Sequence, residues 1–410
     1  MASMDADKLS YEIFSILESK FLFSGSPAIA GVSGGRVRIL SIDGGDRPSD
    51  ALLAAAALAR LESSLRVRTG DPSASVADLF DVAAGSGAGG VLAAMLFTKG
   101  PDGRPLLSVA KALRLLAAES RRRGGRGFGT SGLLRRRPGG FFRRVFGDAT
   151  LRDAVKPVLI PCYDLATAAP FLFSRADAVE ADGFDFRVWE VCAATCAGSS
   201  AMELRSVDGR TRVSAVGGRV AMANPTAAAI THVLLNKQEF PFACGVEDLL
   251  VVSLGAAPAE PSAVGGAELL RITGECVADM VDQTVAMAFG NLRTSNYIRI
   301  QANGFTSGNC SSKSKNLLQS VEDMLLQRNM ESSLFRGKKI SQQSHSDKLD
   351  QIVVELIEEE EKRKKSSIPL VVIKQAATTS QMSSPCPFSQ TDGSSSSSSS
   401  AKMKLSEPLT

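Results

Sequence analysis

FDVAAGSGAGG, Phe80 to Gly90, runs an apolar strand into a glycine-dense turn and on into VLAAML. That is the order of a strand–turn–helix nucleophile elbow, in which a G-x-S-x-G element puts its serine at the apex of a strained turn. Here the apex residue is Gly87. Upstream, VRILSID (37–43) reads as a short buried strand ending in the turn DGGD, and ALLAAAALARLESSLR (51–66) has the composition of a stable helix. ADLFDVAAG (77–85) followed by GGVLAAMLF (89–97) repeats strand, glycine turn, helix, and DLLVVSLG (248–255) reads as a further buried strand. Alternation of this kind specifies an α/β fold with a mostly parallel central sheet covered by helices. MELRSV and TRVSAV (202–207 and 211–216) flank Asp208-Gly209, a tight-turn dipeptide, and predict one antiparallel hairpin beside that sheet.

The chain has 410 residues, 44% of them hydrophobic, which is enough for a large buried core and excludes disorder throughout. Its longest apolar runs, such as ALLAAAALA (51–59), are about half of the roughly 20 residues that cross a bilayer, so no transmembrane helix is expected. The N-terminal stretch carries Asp5, Asp7, Glu12 and Glu18 among its apolar residues, unlike a secretory signal. It reads as an amphipathic helix with Ile13, Phe14, Ile16, Leu17 and Phe21 on one side, and the expected location is cytoplasmic, with peripheral contact at membranes. Seven scattered cysteines without a C-x-x-C pair fit reduced thiols, and Cys192 and Cys196, one helical turn apart, fit core burial rather than a metal site. No metal or cofactor is expected.

The first glycine turn, SIDGGDR (41–47), sets the backbone N–H groups of Gly44 and Gly45 at the start of a loop leading into a helix, with Arg47 adding positive charge. Donors so placed suit an oxyanion or a phosphate, and a plain strand-to-helix turn would use the same residues. Together with the elbow and AVGGRVAMANPTAAAI (215–230), this turn resembles the patatin family of lipid acyl hydrolases. The family pattern is a D-G-G-G-x-R-G oxyanion loop, a serine in G-x-S-x-G, and a dyad aspartate in D-G-G or D-G-A ahead of an N-P segment. Each part is altered here. The loop is one residue shorter, Asp43-Gly44-Gly45-Asp46-Arg47; the serine position is Gly87; the aspartate position, counted back from Asn224-Pro225, is Gly217, or Val216 if the glycine pair is aligned instead. YEIFSILESKFLF, PCYDLATAAPFLFSRADA (161–178), FDFRVWEVCAAT (184–195), QRNMESSLFRGKKI and SIPLVVIKQ are similar to the third group of plant patatin-related phospholipases A, which commonly carries G-x-G-x-G at the elbow.

The resemblance implies a patatin-like three-layer sandwich and lipolytic acyl hydrolase activity on phospholipids and galactolipids, with oxyanion donors from Gly44, Gly45 and Arg47. The alternative is a catalytically inactive descendant that binds lipid or a partner, because neither dyad position holds a functional group. Ser86, one residue before the apex, is the weak substitute nucleophile, since a residue adjacent to the apex should face the other way. Asp208 reads as a turn residue and Asp43 as a carboxylate satisfying nearby backbone donors. With only His232 and His345 in the chain, a Ser-His-Asp triad has little support.

SRRRGGRGFGTSGLLRRRPGGFFRRVFG (120–147) interleaves nine arginines with aromatic and apolar residues. Arginines pair with phosphates while apolar side chains enter the headgroup layer, so Arg121, Arg122, Arg123, Arg135, Arg136, Arg137, Phe141 and Phe142 are candidate membrane contacts. The same residues could contact nucleic acid, which ranks lower, and a solvated loop explains them without function. The expected organisation is an N-terminal helix and linker (1–29), a patatin-like domain (30–325), a C-terminal helical extension (326–375) whose acidic-to-basic run is a solvated helix end, and a serine-rich disordered tail (376–410).

Overall fold

The computed structural model describes residues 35–124, 126–128, 140–198, 201–256, 265–301, 322–333, 336–366 and 369–374. The expected N-terminal helix, Arg135 to Arg137 and the serine-rich tail lie outside them. The framework is β1 (Val37–Ile42), α1 (Leu52–Thr69), β2 (Val82–Gly85), α2 (Gly87–Phe97), α3 (Val109–Arg123), α4 (Gly140–Phe146), β3 (Val158–Asp164), β4 (Ala169–Ser174), α5 (Val188–Thr195), β5 (Met202–Arg205), β6 (Arg212–Val216), α6 (Thr226–Leu235), β7 (Leu249–Leu254), α7 (Gly266–Phe289) and β8 (Tyr297–Ile300). Beyond these come β9 (Arg328–Ser332), β10 (Lys338–Ser344) and α8 (His345–Lys365).

Strands β3, β2, β1, β7 and β8 pair in parallel in that order, and β4, β6 and β5 add antiparallel pairings beyond β3. The hairpin expected around Asp208-Gly209 is β5–β6. Both faces of the sheet are covered. Alternate residues of β1 divide between two cores, Leu40 and Ile42 on one side and Val37 and Ile39 on the other. Burial on both faces is why these strands read as unbroken apolar runs.

The C-terminal extension departs from expectation. Where a helical extension was expected to begin, the described residues instead form the hairpin β9–β10, preceded by a short helical turn; Asn329 is fully buried there and donates to the Arg299 and Met330 carbonyls, a role helical periodicity does not reveal. The end of α8 is solvated only in part, with Glu358, Glu361, Lys362, Lys364 and Lys365 exposed. Other charged residues of α8 hold the start of the sheet: Arg36 pairs with Glu355 and Glu359, Arg38 with Glu360, and Arg363 with Asp81. Glu359 and Asp81 are each only 1% exposed, so the Arg36–Glu359 and Arg363–Asp81 pairs are internal and join the start of the sheet to a helix more than 280 residues away. The described residues through 374 form one compact unit, without a boundary at 325.

Candidate active site

Strands β1 and β2 are parallel neighbours with Ile42 opposite Gly85, so the two glycine turns emerge side by side at the carboxyl end of the sheet, where ligands of α/β folds bind. Gly87 has φ +50°, the left-handed conformation an elbow apex requires. The backbone of an elbow is therefore intact, but the space above it is not open. A Cβ at position 87 would lie 2.5 Å from the Gly45 carbonyl oxygen. That carbonyl accepts from the Ala88 N–H at 2.8 Å, so the loop's own oxygen occupies the N-terminus of α2.

The loop donors are committed in the same way. Gly44 donates to the Ala223 carbonyl at 3.0 Å, and the Arg47 N–H donates to Asp50 Oδ2 at 3.1 Å. Arg47 Nε bonds Asp50 Oδ1 at 3.0 Å, and a Cβ on Gly45 would collide with the Asp50 carboxylate. Among the expected donors, only the buried Gly45 N–H lacks a partner among the described residues. The expected oxyanion donors Gly44 and Arg47 are thus corrected: the shortened loop folds onto itself, with a carboxylate beside it that would repel a developing oxyanion. Asp50 was not singled out in the sequence because it reads as an ordinary helix-start residue.

Ser86 is fully buried, and its Oγ has no hydrogen-bond partner among the described residues. It is wedged beneath the elbow, 2.6 Å from where a Gly44 Cβ would stand and 3.0 Å from a Gly218 Cβ. Gly87 donates its N–H to Thr195 Oγ1 at 2.9 Å, a partner that sequence spacing did not disclose. Position 217 meets the Ala197 carbonyl oxygen, so an aspartate side chain could not be added there without moving backbone.

Asp43 does not serve backbone donors as expected. It is clamped by Arg299, with Nη1–Oδ1 at 3.1 Å and Nη2–Oδ2 at 2.5 Å, and Arg299 also donates to Ser253 Oγ at 2.7 Å. Burial pushes the Asp43 carboxyl above its ordinary range and the Arg299 pairing opposes that rise. Asp208 accepts from Ser206 Oγ and the Arg210 N–H, as a turn residue should. His345 bonds the Met324 and Gln301 carbonyls, while burial depresses His232 to about 4. Cys192 and Cys196 are buried thiols pushed well above their ordinary range by desolvation. No cluster of metal-ligating side chains occurs among the described residues.

The cavity over the loop is about 40 Å³, bordered by Asp43, Arg47, Asp50, Arg219, Glu275 and Asp279 among others. That suffices for a water or two and falls far below the several hundred Å³ of a small-molecule site.

The arginine insert begins by tying down the same loop. Phe128 donates its N–H to the Asp46 carbonyl at 2.7 Å, and Arg123 bonds the Gly127 and Phe128 carbonyls. Phe128, Phe141 and Phe142 form a buried aromatic cluster with centroids 5.1–5.8 Å apart. Reading Phe141 and Phe142 as side chains for the headgroup layer is therefore corrected: they close the base of the insert. Arg122 and Arg123 pair with Glu119, and Arg121 is exposed without a side-chain partner among the described residues.

A patatin-like phospholipase family model matches residues 49–230. Patatin-like protein 3 of Oryza sativa subsp. japonica is 52% identical over 377 residues, covering 86% of this chain and 91% of its own. Patatin-like protein 7 of Arabidopsis thaliana is 47% identical over 410 residues, with 87% and 81% covered. Probable inactive patatin-like protein 9 of Arabidopsis thaliana is 40% identical over 380 residues, with 86% and 93% covered. With the parallel sheet, the glycine elbow and this agreement over most of its length, the chain belongs to the patatin-like phospholipase family.

Proposed function

We propose that this protein addresses the acyl lipids of membranes, phospholipid and galactolipid, as a binding member of a lipid acyl hydrolase family that has lost serine–aspartate hydrolysis. One observation carries the reading: the Gly45 carbonyl stands where the nucleophile's side chain would be, above an apex that is itself glycine. Loss of a serine nucleophile costs on the order of a millionfold in kcat, about 8 kcal/mol, and occupied oxyanion donors remove further rate. Peripheral attachment falls to Arg121 and to Arg135, Arg136 and Arg137, each adding about 1 kcal/mol near an anionic surface, since Glu119 engages Arg122 and Arg123.

A second reading is slow ester hydrolysis by water. It is favoured by the small cavity over the loop, which has room for a water beside Asp43, Asp50 and Glu275, and by family membership. Liposomes of phosphatidylcholine or galactolipid, each carrying an added fraction of anionic phosphatidylglycerol, separate the two. Sedimentation of the protein with the liposomes, with free fatty acid at the no-enzyme rate, supports binding. Sustained fatty acid release supports the second reading and rejects the first. Absence from the liposome pellet together with no release removes the lipid assignment altogether.

A further inference from the structure

Against β8, at the far edge of the parallel strands from the elbow, lies a cleft of about 790 Å³ bordered by β8, the segment Arg293–Thr294, the hairpin β9–β10 and the first half of α8. Its charge is unbalanced. Five cations line it (Arg293, Arg299, Arg336, Lys339 and Lys348) against two carboxylates, Asp282 and Glu331. Both carboxylates are occupied: Glu331 by Lys348 at 3.2 Å and Lys339 at 3.8 Å, Asp282 by the Tyr297 hydroxyl at 2.6 Å and Arg299 Nε at 3.7 Å. Arg293 and Arg336 have no side-chain partner among the described residues. The floor is built of buried polar groups, Asn329 fully and Arg299 at 8% exposure, and Arg299 Nε makes no hydrogen bond. Thr294, Ser333 and Gln343 add hydroxyl and amide groups to the wall.

Two unpaired guanidiniums beside paired lysines suit a dianion, because guanidinium donors match phosphate oxygens in pairs. The volume exceeds what a bare phosphate fills, and the polar wall suits hydroxyls rather than an acyl chain. We propose that this cleft binds a phosphate monoester carried on a hydroxyl-rich body, either a free inositol or sugar phosphate or the phosphorylated inositol headgroup of a lipid. Arg299 joins the cleft to the loop, since the same guanidinium holds Asp43. The site is separate from the elbow and does not depend on whether the elbow hydrolyses anything.

The test uses the full-length protein. Inositol trisphosphate is titrated by calorimetry with unphosphorylated inositol as control, and flotation is measured with phosphatidylcholine vesicles with and without phosphatidylinositol phosphate. Arg293→Gln/Arg336→Gln is compared with Arg68→Gln/Arg104→Gln, which removes equal charge from exposed positions that do not line the cleft. The expected result is binding of the phosphorylated probe only, weakened about tenfold per cleft arginine and little changed in the control variant. Binding of the soluble probe without vesicle dependence identifies a free phosphate ester. A rise in vesicle flotation on adding phosphatidylinositol phosphate, lost with the cleft arginines, identifies a headgroup. No binding of either probe, equal binding of inositol, or equal weakening in the two variants would overturn the proposal.

Discussion

Replacing Gly87 with serine, the change that would nominally restore the nucleophile, should damage the fold before it restores any chemistry. Position 87 has φ +50°, which costs a residue with a Cβ about 1–2 kcal/mol. The new Cβ would stand 2.5 Å from the Gly45 carbonyl oxygen, so the loop must withdraw and break the 2.8 Å bond from Ala88 to that oxygen. Losing that bond adds about 1 kcal/mol, and crowding in a packed site adds about 1–3 kcal/mol. The sum is about 3–6 kcal/mol. At roughly 2–4 °C per kcal/mol for a large domain, Tm should fall by at least 6 °C. Differential scanning calorimetry of wild type, Gly87→Ala and Gly87→Ser should show similar losses in both variants, because the Cβ rather than the hydroxyl collides. Inserting one glycine after Gly45, which returns the loop to the family's length, should recover much of the loss in Gly87→Ser. A Gly87→Ser protein that melts with the wild type and hydrolyses ester would refute the reasoning, since it would require a loop that already stands clear of the apex.

Adding Gly217→Asp to Gly87→Ser should lower Tm further and leave fatty acid release at background, because a Cβ there meets the Ala197 carbonyl oxygen. Asp81→Asn should destabilise by about 3–5 kcal/mol in chemical denaturation by stranding Arg363 and Arg38. Burial pushes Asp81 up, yet Arg363 and Arg38 outweigh it and hold the carboxyl below its ordinary range. Its stabilising contribution is therefore complete above about pH 4 and is lost as pH falls through the lower folded value; Asp81→Asn should lose that part of the acid dependence. Burial lowers His232 from 6.5 to about 4, so the unfolded chain protonates first and stability drops by about 3 kcal/mol as pH falls from 6.5 to 4. His232→Leu should flatten that drop in Tm measured against pH.

The parallel sheet was legible because strands buried on both faces are apolar throughout and because two glycine turns each lead into a helix. The same reading set Gly87 against the family's serine and Gly217, or Val216, against its aspartate, the assignment on which the proposed loss of hydrolysis rests. What it missed depends on distant partners. Nothing near Asp43 announces Arg299, 256 residues away, and nothing in the acidic-to-basic end of α8 distinguishes solvated charges from Glu359 and Arg363 clamped to Arg36 and Asp81. The phenylalanines of the arginine insert looked ready for a membrane because composition does not show that Phe128 meets Phe141 and Phe142. The short oxyanion loop was visible as a missing residue, but its consequence was not: only the fold shows that it sinks onto the elbow and uses its own donors.

The central claim is that the elbow presents no attacking serine. Its most direct test is labelling of the wild-type protein by a fluorophosphonate probe, read by intact-protein mass spectrometry. With Gly87 at the apex and Ser86 fully buried beneath Gly44 and Gly218, no serine adduct should form. A stoichiometric adduct that disappears in a folded Ser86→Ala variant would contradict the claim and establish Ser86 as the nucleophile.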